Sequence, residues 1–151
     1  MSQTHEYHAN VNWNGGKDGS GELSFDGSGH VAPLAVPLEF QGTGNGTNPE
    51  EMLTGAVASC YSITFGIIAS NRKLPIISLK TKAIGEVEQA GMQFTFKKIT
   101  ILPTVVLDSS ATDDQIKAAE DMAHKADLYC IITNAVRGKV EIAVEPSISR
   151  A

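Results

Sequence analysis

From Met52 to Ser70 the chain carries no Asp, Glu, Lys or Arg, and Met52, Leu53, Val57, Ile63, Phe65, Ile67 and Ile68 fall all round a helical projection. A helix that is apolar on every side has no face to offer water, so this run must be surrounded. Its start is marked by Asn48 as N-cap, Pro49 at the first helical position, and Glu51 at the third, where a carboxylate can reach back in a capping box. Its end is marked near Asn71, where Arg72 and Lys73 suit the negative pole and Pro75 forbids continuation. The run approaches the length of a membrane span. Thr54, Ser59, Ser62 and Thr64 dilute it, however, and amphipathic strands flank it, so a helix enclosed on every side by protein, with no membrane partner, is expected.

Those flanking strands set the fold class. Tyr7, Ala9, Val11 and Trp13 alternate with polar residues, Leu23 and Phe25 alternate after the turn Asn14 to Gly19, and Val31 to Phe40 forms a third apolar segment. Pro33 and Pro37 mark that segment as an edge or irregular strand. Beyond the central helix, Ile77 to Glu88 and Gln93 to Leu107 read as a hairpin about Ala90-Gly91. Thr112 with Gln115 signals a capped helix that carries Ile116, Ala119 and Ala123 on one face and ends near Ala126. A short helix from Cys130 to Val136 and a strand with Val140, Ile142 and Val144 complete the order βββαββααβ. This is an α+β pattern with helices against a mostly antiparallel sheet. The 151 residues suffice for one core, so a single domain over residues 1–151 is expected.

Charge narrows the function classes. Twelve Lys and Arg are scattered among seventeen Asp and Glu, and no basic stripe exists to neutralise phosphates, so a nucleic-acid partner is not expected. The opening MSQTHEYHAN has neither a basic n-region nor an apolar h-region, which makes a cytoplasmic location the expectation. His5, His8, His30 and His124 stand at no recognisable ligand spacing, so neither a metal nor a bound cofactor is expected. Cys60 and Cys130 are too few and too far apart for a disulfide scaffold or a CxxC site, and cytosolic thiols are normally reduced.

A lone cysteine inside an apolar helix is by default a small hydrophobe. Three features point further here: small or hydroxylated neighbours (Ala56, Ser59, Thr64), a second cysteine opening its own short segment, and Glu50 and Glu51 beginning an otherwise uncharged run. Ten positions separate Glu50 from Cys60, about 15 Å along one helix and on different faces. A shared site would therefore need a bridging loop or a two-fold partner that brings its own helix start beside the thiol. A nucleophilic thiol must also be a thiolate, and burial opposes that, so a cation is required. Lys17, Arg72 and Arg137 are the candidates in turns or helix ends.

The string TNPEE followed by Cys60, then Cys130 leading into TNAVRGKVEI, resembles the OsmC/Ohr family of peroxide-reducing proteins over nearly the whole chain, including the Trp13 strand and the Gly15-Gly16-Lys17-Asp18-Gly19 turn. The resemblance implies an intertwined homodimer with active sites at the interface. It implies that Cys60 attacks an organic or fatty-acid hydroperoxide, that Cys130 resolves the product, and that Glu50 and a cation in the Lys17 turn hold the thiolate. Arg137 and Glu51 would be accessory, and an external dithiol or lipoylated protein would be the reductant. Two such cysteines need Cα atoms within about 7 Å. Leu53, Val57, Phe65 and Ile131 are then candidate pocket residues. Two departures stand out: Lys17 where peroxide reducers often carry arginine, and Ile131 where proline is common. Lysine supplies charge but not a planar fork. The rival readings are an apolar-ligand binding or redox-sensing module on the same fold.

Overall fold

The computed structural model describes all residues, Met1–Ala151, as two compact units, Met1–Met52 and Leu53–Ala151. The first is a three-stranded antiparallel sheet in the order β1-β2-β3: β1 (Ala9–Asn14), β2 (Ser20–Phe25) and β3 (Val31–Leu34). Val11 pairs with Leu23 and Trp13 with Gly21. A side chain at Gly21 would collide with the Trp13 ring, so the indole lies over bare backbone, and its Nε1 donates to Gly15 O at 2.9 Å. The tight turn between β1 and β2 needs glycine at Gly15, where φ is +93°.

The third apolar segment is shorter than its composition suggests. The strand stops at Leu34, and Pro37, fixed at φ −66°, starts a 3-10 turn over Leu38–Phe40 instead of continuing the ladder. Only Leu23 and Ala35 are buried apolar side chains in this unit, while Val11, Trp13 and Val31 stay exposed. Within this unit the sheet leaves most of its apolar side chains without a core of their own.

The central helix α1 (Pro49–Asn71) starts at its predicted N-cap, where Asn48 Oδ1 accepts the Glu51 N–H at 2.8 Å, but the expected capping box is only half made, because the Glu51 carboxylate bonds the Thr47 hydroxyl and not the N-cap N–H. The Glu51 carboxylate receives the Thr47 hydroxyl at 2.7 Å, which neutralises a second polar group at the helix entrance. At the far end Lys73 adopts φ 54° and the Leu74 N–H turns back to Ala69 O at 3.0 Å, closing the helix before Pro75.

The core lies in the second unit. Strands β4 (Ile76–Ala90) and β5 (Gln93–Leu107) form a long antiparallel hairpin, turned at Gly91 with φ 64°. Along β5 the buried residues are Ile99, Ile101, Pro103, Val105 and Leu107, the period of two that a half-buried strand dictates. The helix meets this face with Val57, Tyr61, Phe65 and Ala69, one residue per turn, and α2 (Asp113–Lys125) adds Ala119, Met122 and Ala123. Each large apolar side chain so enclosed stabilises the fold by about 1.5–3 kcal/mol. Small and hydroxylated residues of α1 let β4 come close: Ser62 Oγ donates to Thr81 Oγ1 at 2.7 Å, and a side chain at Gly85 would strike Thr54 Oγ1 and Phe96.

The predicted capping box of α2 is complete, with the Gln115 N–H on Thr112 Oγ1 and the Thr112 N–H on Gln115 Oε1. After α2 come a 3-10 turn over Ala126–Tyr129 and the short helix α3 (Ile131–Val136). The last strand is two: β6 (Glu141–Val144) and β7 (Ser147–Arg150) both run parallel to β5, end to end along its second edge. The expectation of a helix enclosed on every side does not hold within one chain. Ile63 is 65% and Ile67 58% exposed, because α1 is covered only where β4, β5 and α2 pack against it.

Candidate functional site

The sulfurs of Cys60 and Cys130, separated by 70 positions in sequence, are joined by a disulfide with Cα atoms 5.7 Å apart. Cys60 lies on the fourth turn of α1, immediately before Tyr61, the residue that anchors this part of the helix. The Tyr61 hydroxyl donates to Ala123 O at 2.6 Å, tying α1 to the end of α2, and its ring stacks on Phe65 at 6.2 Å. Burial, and then the nearby Asp127 carboxylate, push the Tyr61 hydroxyl well above the usual tyrosine range, so it stays a donor. Cys60 itself is half-buried, while Cys130 is fully enclosed.

Cys130 is held by the turn that precedes it and the helix that follows. Its N–H donates to Asp127 O at 3.2 Å, and its sulfur, as N-cap of α3, accepts the Thr133 N–H at 3.3 Å. Thr133 is completely buried and its hydroxyl has no hydrogen-bond partner. Arg137 clasps the whole segment. Its Nη2 reaches Asp127 Oδ2 at 3.0 Å and Asp127 O at 3.2 Å, and its Nε donates to Asn134 Oδ1 at 3.1 Å. Asn134 in turn donates to Leu128 O at 2.9 Å. The guanidinium is thus committed to the turn carrying Cys130.

Arg72 is exposed immediately after the end of α1, and Lys17, Glu50 and Glu51 lie in the first unit. Lys17 is exposed in the turn between β1 and β2, Glu50 is half-buried in the first turn of α1, and Glu51 is engaged in the helix cap. The structure brings the two cysteines together and sets Arg137 close in sequence behind the second. Two of the predicted pocket residues belong elsewhere. Val57 and Phe65 are fully enclosed in the core because they share the α1 stripe facing β5, whereas Ile131 is 80% exposed and Leu53 packs on the core's margin. Exposed Leu128, Tyr129 and Ile131 make the surroundings of Cys130 apolar.

Asp127, Thr133 and Asn134 were not singled out by sequence reasoning. Asp127 carried a usable signal: a lone acid between Ala126 and Leu128, ten residues before an arginine, is more economically placed as a paired buried charge than as a surface one. Thr133 carried none, since a threonine in a short helix is unremarkable by pattern.

The arrangement can form and break one S–S bond between a half-buried and a fully enclosed cysteine. The family described as OsmC-like protein matches residues 42–145. The chain is 35% identical to the uncharacterized protein YmaD of Bacillus subtilis over 145 residues, covering 95% of each. It is 26% identical to organic hydroperoxide resistance protein-like 2 of Staphylococcus epidermidis, with 87% of this chain and 89% of the relative covered. Among solved structures, an OsmC-like protein from Vibrio cholerae superposes with a TM-score of 0.78 at 23% identity, over 95% of this chain and 99% of that one.

Proposed function

The chain belongs to the OsmC-like protein family, and from that premise we propose that it is a thiol peroxidase acting on organic or fatty-acid hydroperoxides, with Cys60 and Cys130 as its redox pair. A redox, peroxidase-type role is supported by a relative named for organic hydroperoxide resistance. The observation that carries the finer reading is the Cα separation of 5.7 Å across 70 positions, which lets the two sulfurs bond without rearranging the backbone.

The Cys60 thiolate attacks one oxygen of the hydroperoxide. An S–O bond forms as the O–O bond breaks, and the alkoxide takes up a proton to leave as an alcohol. The Cys130 thiolate then attacks the Cys60 sulfenic sulfur, the S–S bond forms, and hydroxide departs and is protonated to water. An external dithiol restores both thiols by exchange and is itself oxidised to a disulfide. Lys17 and Glu50 are the residues proposed to hold the Cys60 thiolate. Arg137, whose Nη2 and Nε bind Asp127 and Asn134, supports the resolving turn instead. The apolar side chains Leu128, Tyr129 and Ile131 favour a hydroperoxide with a greasy tail.

The proposed assembly is a cytoplasmic homodimer. It is supported by the uncovered face of α1 at Ile63 and Ile67 and by the sheet of the first unit, which buries almost none of its own apolar residues. A protomer mass by sedimentation at micromolar concentration would remove the shared interface.

Turnover of cumene hydroperoxide with a dithiol tests the reading, comparing the parent with Cys60→Ser and Cys130→Ser. Multiple turnover is lost in both, and a trappable sulfenic acid accumulates on Cys60 only in the second. No turnover with any hydroperoxide, together with tight binding of a lipid-like molecule, would replace the peroxidase with a binding module.

A further inference from the structure

We propose that Arg137 is a positioning residue for disulfide closure: with Asp127 and Asn134 it fixes the backbone of Cys130 from both sides, so that the reduced thiol waits beside Cys60 and closes the bond before Cys60 is oxidised further. The inference deepens the peroxidase reading, on which its place in a catalytic cycle rests.

Cys130 sits where two short elements meet, the 3-10 turn Ala126–Tyr129 and the six-residue helix α3. Neither is long enough to hold its shape unaided, since isolated helices under about 12 residues are marginal in water. Both main-chain groups of Cys130 nonetheless have partners. Its N–H donates to Asp127 O at 3.2 Å, and its carbonyl accepts the Asn134 N–H at 3.0 Å. One guanidinium reaches behind both of these partners. Arg137 Nη2 donates to the same Asp127 O at 3.2 Å and to Asp127 Oδ2 at 3.0 Å, while its Nε donates to Asn134 Oδ1 at 3.1 Å. Asn134 Nδ2 completes the ring by donating to Leu128 O at 2.9 Å.

None of these bonds uses a sulfur atom. Opening the disulfide removes the covalent tie and leaves every one of them in place. The Cys60 segment is tied to the same region through Tyr61, whose hydroxyl donates to Ala123 O at 2.6 Å just before the 3-10 turn. The two cysteines therefore keep the closeness that their Cα separation of 5.7 Å records.

Position matters because two reactions compete for the Cys60 sulfenic acid. In one, the Cys130 thiolate attacks the sulfenic sulfur, the S–S bond forms, and hydroxide leaves to become water. In the other, a second hydroperoxide gives up an oxygen to that sulfur as its O–O bond breaks, leaving a sulfinic acid and an alcohol. Closure is intramolecular, and a misplacement of about 1 Å can lower such an advantage about a hundredfold.

Glutathione redox buffers measure the effective concentration of the two thiols with no hydroperoxide present. Samples at graded ratios of reduced to oxidised glutathione are acid-quenched, their free thiols are blocked, and intact masses are read. Near-UV circular dichroism confirms that each reduced variant is folded. Arg137→Ala is expected to lower the effective concentration about tenfold. Asn134→Ala, which keeps the Arg137–Asp127 ion pair, lowers it as well and decides the matter if Arg137→Ala does not fold. Arg137→Lys returns a charge to Asp127 and most of the stability, but not the effective concentration, because one ammonium lacks the fork that spans Asp127 and Asn134. A residue that only supports the fold would shift the urea midpoint and leave the glutathione equilibrium of the folded protein unchanged. Parent-like effective concentration in folded Arg137→Ala or in Asn134→Ala, or its full recovery in Arg137→Lys, overturns the proposal. Absence of hydroperoxide turnover would sink the peroxidase reading while leaving the glutathione results standing.

Discussion

Replacing Arg137 with alanine should loosen the turn that carries Cys130. The change removes three hydrogen bonds, at 3.0 and 3.2 Å to Asp127 and 3.1 Å to Asn134, and leaves the Asp127 carboxylate, only 9% exposed, without its cation. Stranding one partner of a fully buried pair costs about 3–5 kcal/mol. Arg137 is 40% exposed, so water already screens one side of this pair, and about 2 kcal/mol is the expected loss. In a chain of this size each kcal/mol moves the melting midpoint by about 2–4 °C, so a fall of about 4–8 °C follows. Asp127→Asn, which strands only the half-exposed guanidinium, should cost about 1 kcal/mol. The double variant should then recover about 1 kcal/mol of coupling. Urea titration of the reduced proteins at one fixed protomer concentration measures all four corners with the disulfide absent and the contribution of dimerisation held constant. Arg137→Ala within about 0.5 kcal/mol of the parent, or costs that simply add, would refute the clasp.

Tyr61→Phe leaves Ala123 O buried without its donor and should cost about 1–3 kcal/mol at neutral pH by urea titration. The folded state holds the Tyr61 proton more tightly than the unfolded chain does, so this contribution is constant below about pH 10 and is lost as pH rises beyond it. The gap between parent and Tyr61→Phe should therefore narrow in alkali, and a gap that widens would contradict the assignment. Gly85→Ala places a methyl against Thr54 Oγ1 and 2.8 Å from the Phe96 ring, for an expected loss of about 1–3 kcal/mol in thermal melts. Adding Thr54→Ala should return part of it.

Much of the fold is legible in local chemistry. The Asn48-Pro49 start of α1, the Thr112/Gln115 box and the alternation along β5 are decided by neighbouring residues, and each appears where its pattern puts it. Features that depend on distant partners are less readable. The composition of α1 shows apolar residues all round, but which stripe is buried depends on where β5 and α2 lie, and that selects Val57, Tyr61, Phe65 and Ala69. The strand β7 was missed because it contains one apolar residue, Ile148, and owes its existence to the free edge of β5. In the site, the nearness of Cys60 and Cys130 came from resemblance to a family and not from spacing, since 70 intervening residues place no bound on a distance. Asp127 and Thr133 escaped notice because their roles arise only once the turn before Cys130 and the helix after it are folded against each other.

The central claim is that Cys60 and Cys130 act as one redox pair, and a single-turnover titration tests it most directly. The fully reduced protein is given one equivalent of cumene hydroperoxide per chain, and its free thiols and intact mass are then read. The account predicts loss of both thiols, a mass lower by two hydrogen atoms, and one equivalent of alcohol. A mass gain of one oxygen or more with one thiol still free, or no change in either cysteine, would contradict it.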